Sequence, residues 1–379
     1  MVKLIIGGDI CATNRDKHAF SEGNVSNIFG DLVPIIQSAD LAIANLETPL
    51  INSPSPIKKS GAVFGNAPDI LNAIKSSGIN FLNLANNHIL DHGEQGLKTT
   101  IEALKNQDFN YVGAGKSIGE ASQPFTIEIK GKTISILSYA EHEFSIAELG
   151  KFGANPLDVI DFVTRIQALK KSSDFVLLLY HGGKENYNLP TPKQQKLCRF
   201  FIDQGVNMVV CQHSHTAGVY ENYNNGNIYY GQGNFVFDPY PLKRDWLYKG
   251  FLIELVINDA NSINIQLIPY VHNSFYKDEI GIRIMNAEES KIFMNNIFEA
   301  NKKMTEDVNH VYNEWVKLSK SFENTYLSVL NGNGRVMRKL NEKLPWLKFV
   351  YKNDRKLVLK NMVTCETHHE IVKTILKEK

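Results

Sequence analysis

Short apolar runs alternate with stretches of helical periodicity through the first 240 residues of the chain. Apolar runs of about four to eight residues are typical of buried strands, whereas apolar residues three and four apart are typical of helices. This pattern predicts strands at 4–8, 41–47, 81–85, 111–113, 175–180 and 208–211, and helices at 68–77, 97–106, 157–171 and 191–204. The alternation of strand and helix predicts an α/β fold with a largely parallel core sheet.

Paired apolar runs around short polar turns predict three further hairpins. They lie at 125–129 with 133–139, at 219–223 with 228–230, and at 251–257 with 263–269. From about residue 285 the pattern is polar and mostly helical, and Asn331-Gly332-Asn333-Gly334 is typical of a turn or linker. The sequence therefore predicts an α/β domain over 1–284 and a helical, basic C-terminal extension over 285–379.

Charge is balanced over the whole chain but unevenly distributed along it. The 379 residues include 41 Lys and Arg and 40 Asp and Glu, which excludes a uniformly basic protein that binds nucleic acid. Residues 335–379 carry a net charge of +7 and the remainder −6. Basic and apolar residues alternate over 335–360, which predicts contact with an anionic membrane surface or an acidic partner. The alternative is a solvated helical extension that packs on the α/β domain or mediates oligomers.

Composition is that of an ordinary globular protein, with 43% hydrophobic and 21% charged residues. The opening apolar run ends at Asp9 and is too short for a signal peptide, and no run is long enough to span a membrane. The four cysteines are scattered, without the paired spacing of a metal motif or a disulfide framework. These features predict a cytoplasmic protein.

Metal-competent residues follow five of the predicted strands. They are Asp9, Glu47, Asn87-His88, His181 and His213-x-His215. Each alone is more often a turn, a cap or a structural histidine, but ligands bind at the carboxyl ends of strands in α/β sheets, so these residues can converge. Carboxylates, an amide oxygen and imidazoles together suit Mn, Fe or Zn, and a carboxylate such as Glu47 can bridge two cations.

Several motifs in order resemble a known family. They are Gly8-Asp9, Asn45-Leu46-Glu47-Thr48-Pro49, Ala85-Asn86-Asn87-His88-x-x-Asp91-x-Gly93, His181-Gly182-x-x-Glu185, Gln212-His213-Ser214-His215 and Tyr230-Gly231-Gln232-Gly233-Asn234-Phe235-Val236-Phe237-Asp238. Over about residues 2–240 the chain resembles the bacterial capsule-synthesis family (CapA-like, poly-γ-glutamate), which is similar in fold to the calcineurin-like metallophosphatase superfamily.

This resemblance implies a four-layer α/β/β/α sandwich with two divalent cations at one site. It implies that Asp9, Glu47 and His215 hold one cation, and that Glu47, Asn87, His181 and His213 hold the other. His88 would contact the leaving group, oriented and kept protonated by Asp91. Glu185, Asn234 and Asn45 would support the ligands or face the substrate.

The chain departs from the superfamily pattern at Cys11, which stands where a histidine is common. A thiolate there could ligate zinc or iron, and the alternative is a buried thiol that packs as a small apolar group. Glu141, His142 and Lys184 follow strands on the same side and could shape a pocket, although residues in such positions are more often surface or packing residues.

The function expected from these features is that of a metal-dependent phosphoesterase, in which a metal-bridging hydroxide attacks a phosphorylated small molecule or envelope polymer. Capsule or cell-envelope polymer metabolism is the expected setting. Two alternatives stay open. The same centre could act on γ-glutamyl amide bonds, or the chain could be a non-catalytic component of a polymer-synthesis complex.

Overall fold

The computed structural model describes residues 1–239, 244–259, 262–273, 280–322, 326 and 353–377. In chain order the strands are β1 (Val2–Cys11), β2 (Leu41–Leu46), β3 (Phe81–Asn83), β4 (Asn110–Val112), β5 (Ala114–Gly115), β6 (Phe125–Ile129), β7 (Lys132–Ala140), β8 (Gly153–Ala154), β9 (Phe175–His181), β10 (Met208–Gln212), β11 (Tyr220–Tyr223), β12 (Gly226–Tyr229), β13 (Asn234–Phe237), β14 (Lys249–Ile257), β15 (Ile263–His272) and β16 (Ile282–Ile284).

Helices alternate with these strands as the sequence predicts, and further helices follow the last strand. They are α1 (Asp16–Ser21), α2 (Val25–Phe29), α3 (Val33–Gln37), α4 (Ile70–Ser76), α5 (Gly93–Asn106), α6 (Ile118–Ala121), α7 (Val159–Ser172), α8 (Pro192–Gln204), α9 (Ala287–Glu306), α10 (His310–Ser321), α11 (Asn353–Thr364) and α12 (Glu366–Lys377). Two 3₁₀ turns lie at Gly30–Leu32 and Asp245–Tyr248.

Two mixed sheets form the centre of the molecule. The first has the order β16-β15-β14-β1-β2-β3-β4, with β13 beside the end of β1, and the second has the order β11-β12-β10-β9-β7-β6. Neighbours from β1 to β4 run parallel, as do β7, β9, β10 and β12. The added hairpin strands are antiparallel. The carboxyl ends of the parallel strands therefore form one edge in each sheet.

The side-chain alternation of β1 divides the core between two layers. Leu4 and Ile6 pack between the two sheets, against Leu177 and Phe251 among others. Ile5 points to the opposite face, where it joins the apolar side chains of α1–α5. The helices α7 and α8 cover the outer face of the second sheet through a separate cluster that includes Phe162. The predicted four-layer α/β/β/α sandwich is therefore confirmed.

The described part of the C-terminal extension is helical, as predicted. Trp315 of α10 is buried with Met362 of α11 and Ile371 of α12. The basic stretch over 335–352 and the turn predicted at 331–334 lie outside the described residues. Within the described ranges, none of the helices combines the length and apolarity that crossing a membrane requires.

Several short elements were not predicted by the periodicity. Helices α1–α3 each have only five or six residues, so two turns of apolar spacing never accumulate. Strand β13 has four residues and pairs in parallel with the end of β1, bringing Asn234 opposite Asp9. Helix α5 begins at Gly93 rather than at residue 97, because its first turn is polar.

Candidate metal centre

The candidate ligands predicted from the strand ends do come together. Asp9 lies near the end of β1, Glu47 directly follows β2, and Asn87 lies four residues after β3. His181 ends β9 and His213 follows β10, so the second sheet contributes from the facing side. All five are buried. His215 keeps 16% of its side chain exposed, which leaves the centre open to solvent on that side.

Four of these residues surround one small volume. The His181 Nε2 atom lies 3.1 Å from Asn87 Oδ1 and 3.3 Å from Glu47 Oε1. It also lies 3.2 Å from His213 Nδ1. Two imidazole nitrogens, an amide oxygen and a carboxylate oxygen that face each other at these distances form a suitable ligand set for a divalent cation.

A second group shares Glu47 with the first. The His215 Nδ1 atom lies 3.6 Å from Asp9 Oδ2, and the His215 Nε2 atom lies 3.9 Å from Glu47 Oε1. In each of the two groups, Asp9–Glu47–His215 and Glu47–His181–His213, the ligand atoms lie within 4.8 Å of one another. The arrangement predicted for two neighbouring cations with Glu47 between them is therefore compatible with the geometry.

The Glu47 carboxylate is the feature that fits a cation best. It is completely buried, and neither oxygen has a hydrogen-bond partner within the part of the chain that the structure describes. Burial and the nearby Asp9 carboxylate raise the pKa of Glu47 well above its usual value. A buried acid without a partner is costly, and a bound cation is what makes such a group favourable. Glu47 is therefore chemically matched to a divalent metal.

Backbone strain is concentrated at the two histidines of the His213-Ser214-His215 segment. His213 has φ of 91° and His215 has φ of 54°, in the left-handed region that residues with a Cβ rarely adopt. Strain of this kind is retained at functional sites, where it directs side chains. Here the turn directs both imidazoles toward Glu47.

Two asparagines named from the sequence lie beside the ligands. Asn45 donates to Asp9 Oδ1 at 2.8 Å, and its own oxygen accepts from Asn83 and Asn86, both at 3.2 Å. The Asn234 Oδ1 atom lies 2.9 Å from His215 Nδ1. Both amides therefore hold a candidate ligand in place.

His88 is held by Asp91, but its charge state differs from the expectation. The His88 Nδ1 atom lies 2.7 Å from Asp91 Oδ2, which leaves Nε2 to face the site. Burial, helped by the ammonium group of Lys59, outweighs Asp91 and lowers the pKa of His88 to about 4. The prediction that Asp91 keeps His88 protonated is therefore wrong. Lys59 forms a buried ion pair with Asp91 and lies 3.1 Å from His88 Nδ1.

A cavity of about 390 Å³ opens beside this centre. Its lining includes His215, Asn234, Glu185, Lys17 and Phe64. Glu185 therefore faces the open side of the site, where a substrate would enter. The wall carries charges of both signs, since it contains Lys17 together with the carboxylates of Glu185 and Asp238.

Cys11 is a member of neither of these two ligand groups, although it lies near Glu47. Its thiol is completely buried, 3.7 Å from Asn66 Oδ1, and burial together with Glu47 raises its pKa well above the usual value. The uncharged, packed thiol is the second of the two alternatives considered for this residue.

Of two acids that matter to the geometry, Glu141 was named from the sequence only as a possible pocket residue, and Glu143 was not predicted. Glu143 accepts a hydrogen bond from Asn87 Nδ2 at 2.9 Å, so that the amide oxygen turns toward His181. Glu141 lies 3.9 Å from His213 Nε2, and burial raises its pKa to about 8. Both follow β7, whose end lies beside β9, so the strand-end argument that named Glu141 also reaches Glu143 two residues later.

Comparison with known proteins places these residues in a family. The model of the family described as bacterial capsule synthesis protein PGA_cap matches residues 3–239. The capsule biosynthesis protein CapA of Bacillus anthracis is 29% identical over 240 residues, covering 61% of this chain and 58% of that protein. The PGA biosynthesis protein CapA of Bacillus subtilis (strain 168) is 29% identical over 235 residues, covering 61% and 62%. This chain therefore matches about three fifths of the length of these relatives.

One solved structure also resembles this fold. It is a novel phosphatase from Mycoplasma pneumoniae, which is 14% identical with a TM-score of 0.46, covering 71% of this chain and 93% of the other.

The matched span contains every candidate ligand from Asp9 to His215, together with Asn234. It ends just after β13, so α9–α12 lie beyond it. Because the family model matches well over half of the residues of this chain, the chain belongs to the PGA_cap family of bacterial capsule synthesis proteins.

Proposed function

We propose that the chain is a metal-dependent phosphoesterase with two divalent cations, Mn, Fe or Zn, that acts in capsule or cell-envelope polymer metabolism. The observation that carries this proposal is the buried Glu47 carboxylate, which belongs to two groups of metal-competent side chains and lacks a hydrogen-bond partner in the described ranges. The names of the two CapA relatives support the setting in capsule synthesis.

The residues would divide the work as their positions allow. Asp9 and His215 would hold one cation, Asn87, His181 and His213 the other, and Glu47 both. Divalent cations held there supply Lewis-acid polarisation of a phosphoryl oxygen and activate water at neutral pH.

His88 and the neighbouring cavity would handle the substrate. Since Asp91 occupies Nδ1, the Nε2 atom of His88 would be the one that contacts the leaving oxygen. The cavity beside His215 would receive the phosphorylated group, with Lys17 and Asn234 in its wall. Glu185 at the same wall would repel excess negative charge and limit which anions enter.

The ligand assignment is tested by metal content. His181→Ala and His213→Ala should each lose bound metal and turnover, because each removes a nitrogen from the tighter group of ligands. His18→Ala is the matched control, since the side chain of His18 is 80% exposed and belongs to neither ligand group. Unchanged metal stoichiometry in both site variants would remove the assignment.

The reaction is tested by a panel of substrates with added Mn, Zn, Fe or Mg. Release of phosphate from a small or polymer-linked phosphoester supports the proposal. Release of an amine from a γ-glutamyl amide would instead assign the centre to amide chemistry. Turnover of neither, with metal bound, would favour a non-catalytic component of a synthesis complex.

Location and partners belong to the same proposal. A cytoplasmic location agrees with the four cysteines, which are all buried and free. Contact of 335–360 with an anionic membrane or acidic partner stays a prediction, since most of this stretch lies outside the described residues. Co-sedimentation with anionic liposomes tests the membrane contact. The full chain should bind the liposomes, and a chain that ends at Asn331 should not.

A further inference from the structure

The C-terminal helices bring a third group of metal-competent side chains next to the centre. Cys365 lies between α11 and α12, and His368 lies three residues further in α12. Their ligand atoms and a carboxylate oxygen of Glu143 lie within 4.8 Å of one another. From this geometry we infer that Glu143, Cys365 and His368 bind a further divalent cation, with Zn²⁺ the best match. We call these three residues the helix-side group.

The chemistry of the helix-side group differs from that of the main centre. It combines one thiol, one imidazole and one carboxylate, which are the three ligand types that zinc uses in proteins. A thiolate favours Zn²⁺ or Fe²⁺ over Mg²⁺, Ca²⁺ or Mn²⁺. Three protein ligands leave the fourth position of a tetrahedral site open to water or to a ligand.

The imidazole of His368 is already oriented for this role. The hydroxyl of Tyr326 hydrogen bonds with His368 Nδ1, which leaves Nε2 as the nitrogen available to a cation. An outer hydrogen bond of this kind fixes ring orientation at most metal-bound histidines. Tyr326 itself is buried, with 7% of its surface exposed.

The two other members are also held in place. Cys365 is 1% exposed, and its thiol lies 3.2 Å from Glu141 Oε1, an acid that could accept the thiol proton when metal binds. Glu143 engages Asn87 through one carboxylate oxygen, at 2.9 Å. Its second oxygen can therefore ligate a cation while the first keeps Asn87 oriented.

Anchoring contacts show why α12 presents these residues at a defined position. Glu366 lies 2.5 Å from His142 Nδ1 and also accepts from the His142 backbone at 2.7 Å. Thr367 donates to Glu141 at 3.0 Å, and Glu370 accepts from the Lys193 backbone at 2.9 Å. The helix is therefore tied to the loop that follows β7 and to the first turn of α8, on the metal side of the second sheet.

This inference goes beyond the proposed function, because the helix-side group lies outside the span that matches the family, except for Glu143. It extends the row of ligand groups from Asp9, through Glu47 and His213, to the C-terminal helices. Glu143 would connect the two parts, since it holds a candidate ligand of the main centre and is itself a ligand of the new site.

The test uses the full chain loaded with Co²⁺ in place of Zn²⁺. Metal analysis should give one more cation per chain than the main centre holds, and near-ultraviolet absorption should show thiolate-to-cobalt charge transfer. Cys365→Ser should abolish this absorption and lose one equivalent of metal. Because a cysteine variant can fail to fold, His368→Ala provides a second test, with the same expected loss of one equivalent.

Matched controls separate this site from other thiols and from the main centre. Cys198→Ser, whose thiol packs 3.6 Å from Cys211, should keep the absorption, and so should Cys11→Ser. His181→Ala should lose metal but keep the thiolate absorption, so failure of the main centre is distinguishable. The inference is overturned by a native protein without thiolate absorption, by absorption that depends on Cys11, or by full metal content in both Cys365→Ser and His368→Ala.

Discussion

Replacing Glu47 by Gln should stabilise the protein when metal is absent and destabilise it when metal is bound. Gln has nearly the same shape but no charge. Glu47 is fully buried and neither of its oxygens has a hydrogen-bond partner among the described residues. In the presence of a chelator the native protein therefore carries a buried acid whose oxygens lack hydrogen bonds, and Glu47→Gln should be the more stable protein. With metal bound, the same substitution removes the shared ligand and should be destabilising.

The magnitudes follow from two estimates. An unsatisfied buried polar group costs about 1–3 kcal/mol, and more if charged, so the gain in chelator should be of that size. A ligand at 100 times its dissociation constant stabilises by about 2.7 kcal/mol per site. Since Glu47 belongs to both ligand groups, native protein should gain roughly 5 kcal/mol from two cations. For 379 residues, with an unfolding entropy of about 2.1 cal/mol/K per residue, that corresponds to a Tm increase of roughly 6 °C.

Thermal melts in chelator and in Mn²⁺ measure both signs in one experiment. Glu221→Gln is the matched control, because Glu221 is also buried but pairs with Arg199 at 2.8 Å. It should lose stability by the same amount in both conditions. The reasoning is refuted if Glu47→Gln melts below native protein in chelator, or if it keeps the full metal-dependent increase in Tm.

Three further predictions test the surroundings of the centre. Burial raises the pKa of Asp16 to about 7, so the native state still holds this proton at a pH where the unfolded state has released it. The free energy of unfolding therefore falls as the pH rises from about 4 to 7. Asp16→Asn should therefore gain up to about 4 kcal/mol at pH 8 and almost nothing at pH 4, as measured by urea unfolding. Lys59→Met leaves the buried Asp91 without its ion-pair partner and should cost about 3 kcal/mol in the same assay, while a loss below about 1 kcal/mol would contradict the burial argument. Phe162→Ala, in the cluster beneath α7 and α8, should cost about 3–5 kcal/mol with metal content unchanged, and altered metal stoichiometry would contradict its purely packing role.

The parts of the centre that sequence predicts are those at strand ends. Asp9, Glu47 and His181 could be named because an apolar run fixes where a strand ends, and parallel strands end at one edge. The four-layer arrangement followed from the same alternation together with the resemblance to a family.

Other parts depend on contacts that no local pattern encodes. Lys59 reaches Asp91 from an irregular loop over 51–66, where neither period 2 nor period 3.6 is present. Cys365 and His368 lie more than 200 residues after Glu143 along the chain, and only tertiary packing brings them together. The charge state of His88 depends on burial and on Lys59, neither of which the motif contains.

The position of β14 beside β1 sets the order of events during synthesis. β1 ends at Cys11, but its antiparallel neighbour extends to Ile257. At about 5–20 residues per second, a ribosome needs roughly 12–50 s to make the intervening chain. During that interval one edge of β1 has no partner from the nascent chain, and both His213 and His215 are made late within it. The complete cation centre is therefore a late product of translation, and nascent-chain binding of metal should begin only after β14 has left the exit tunnel.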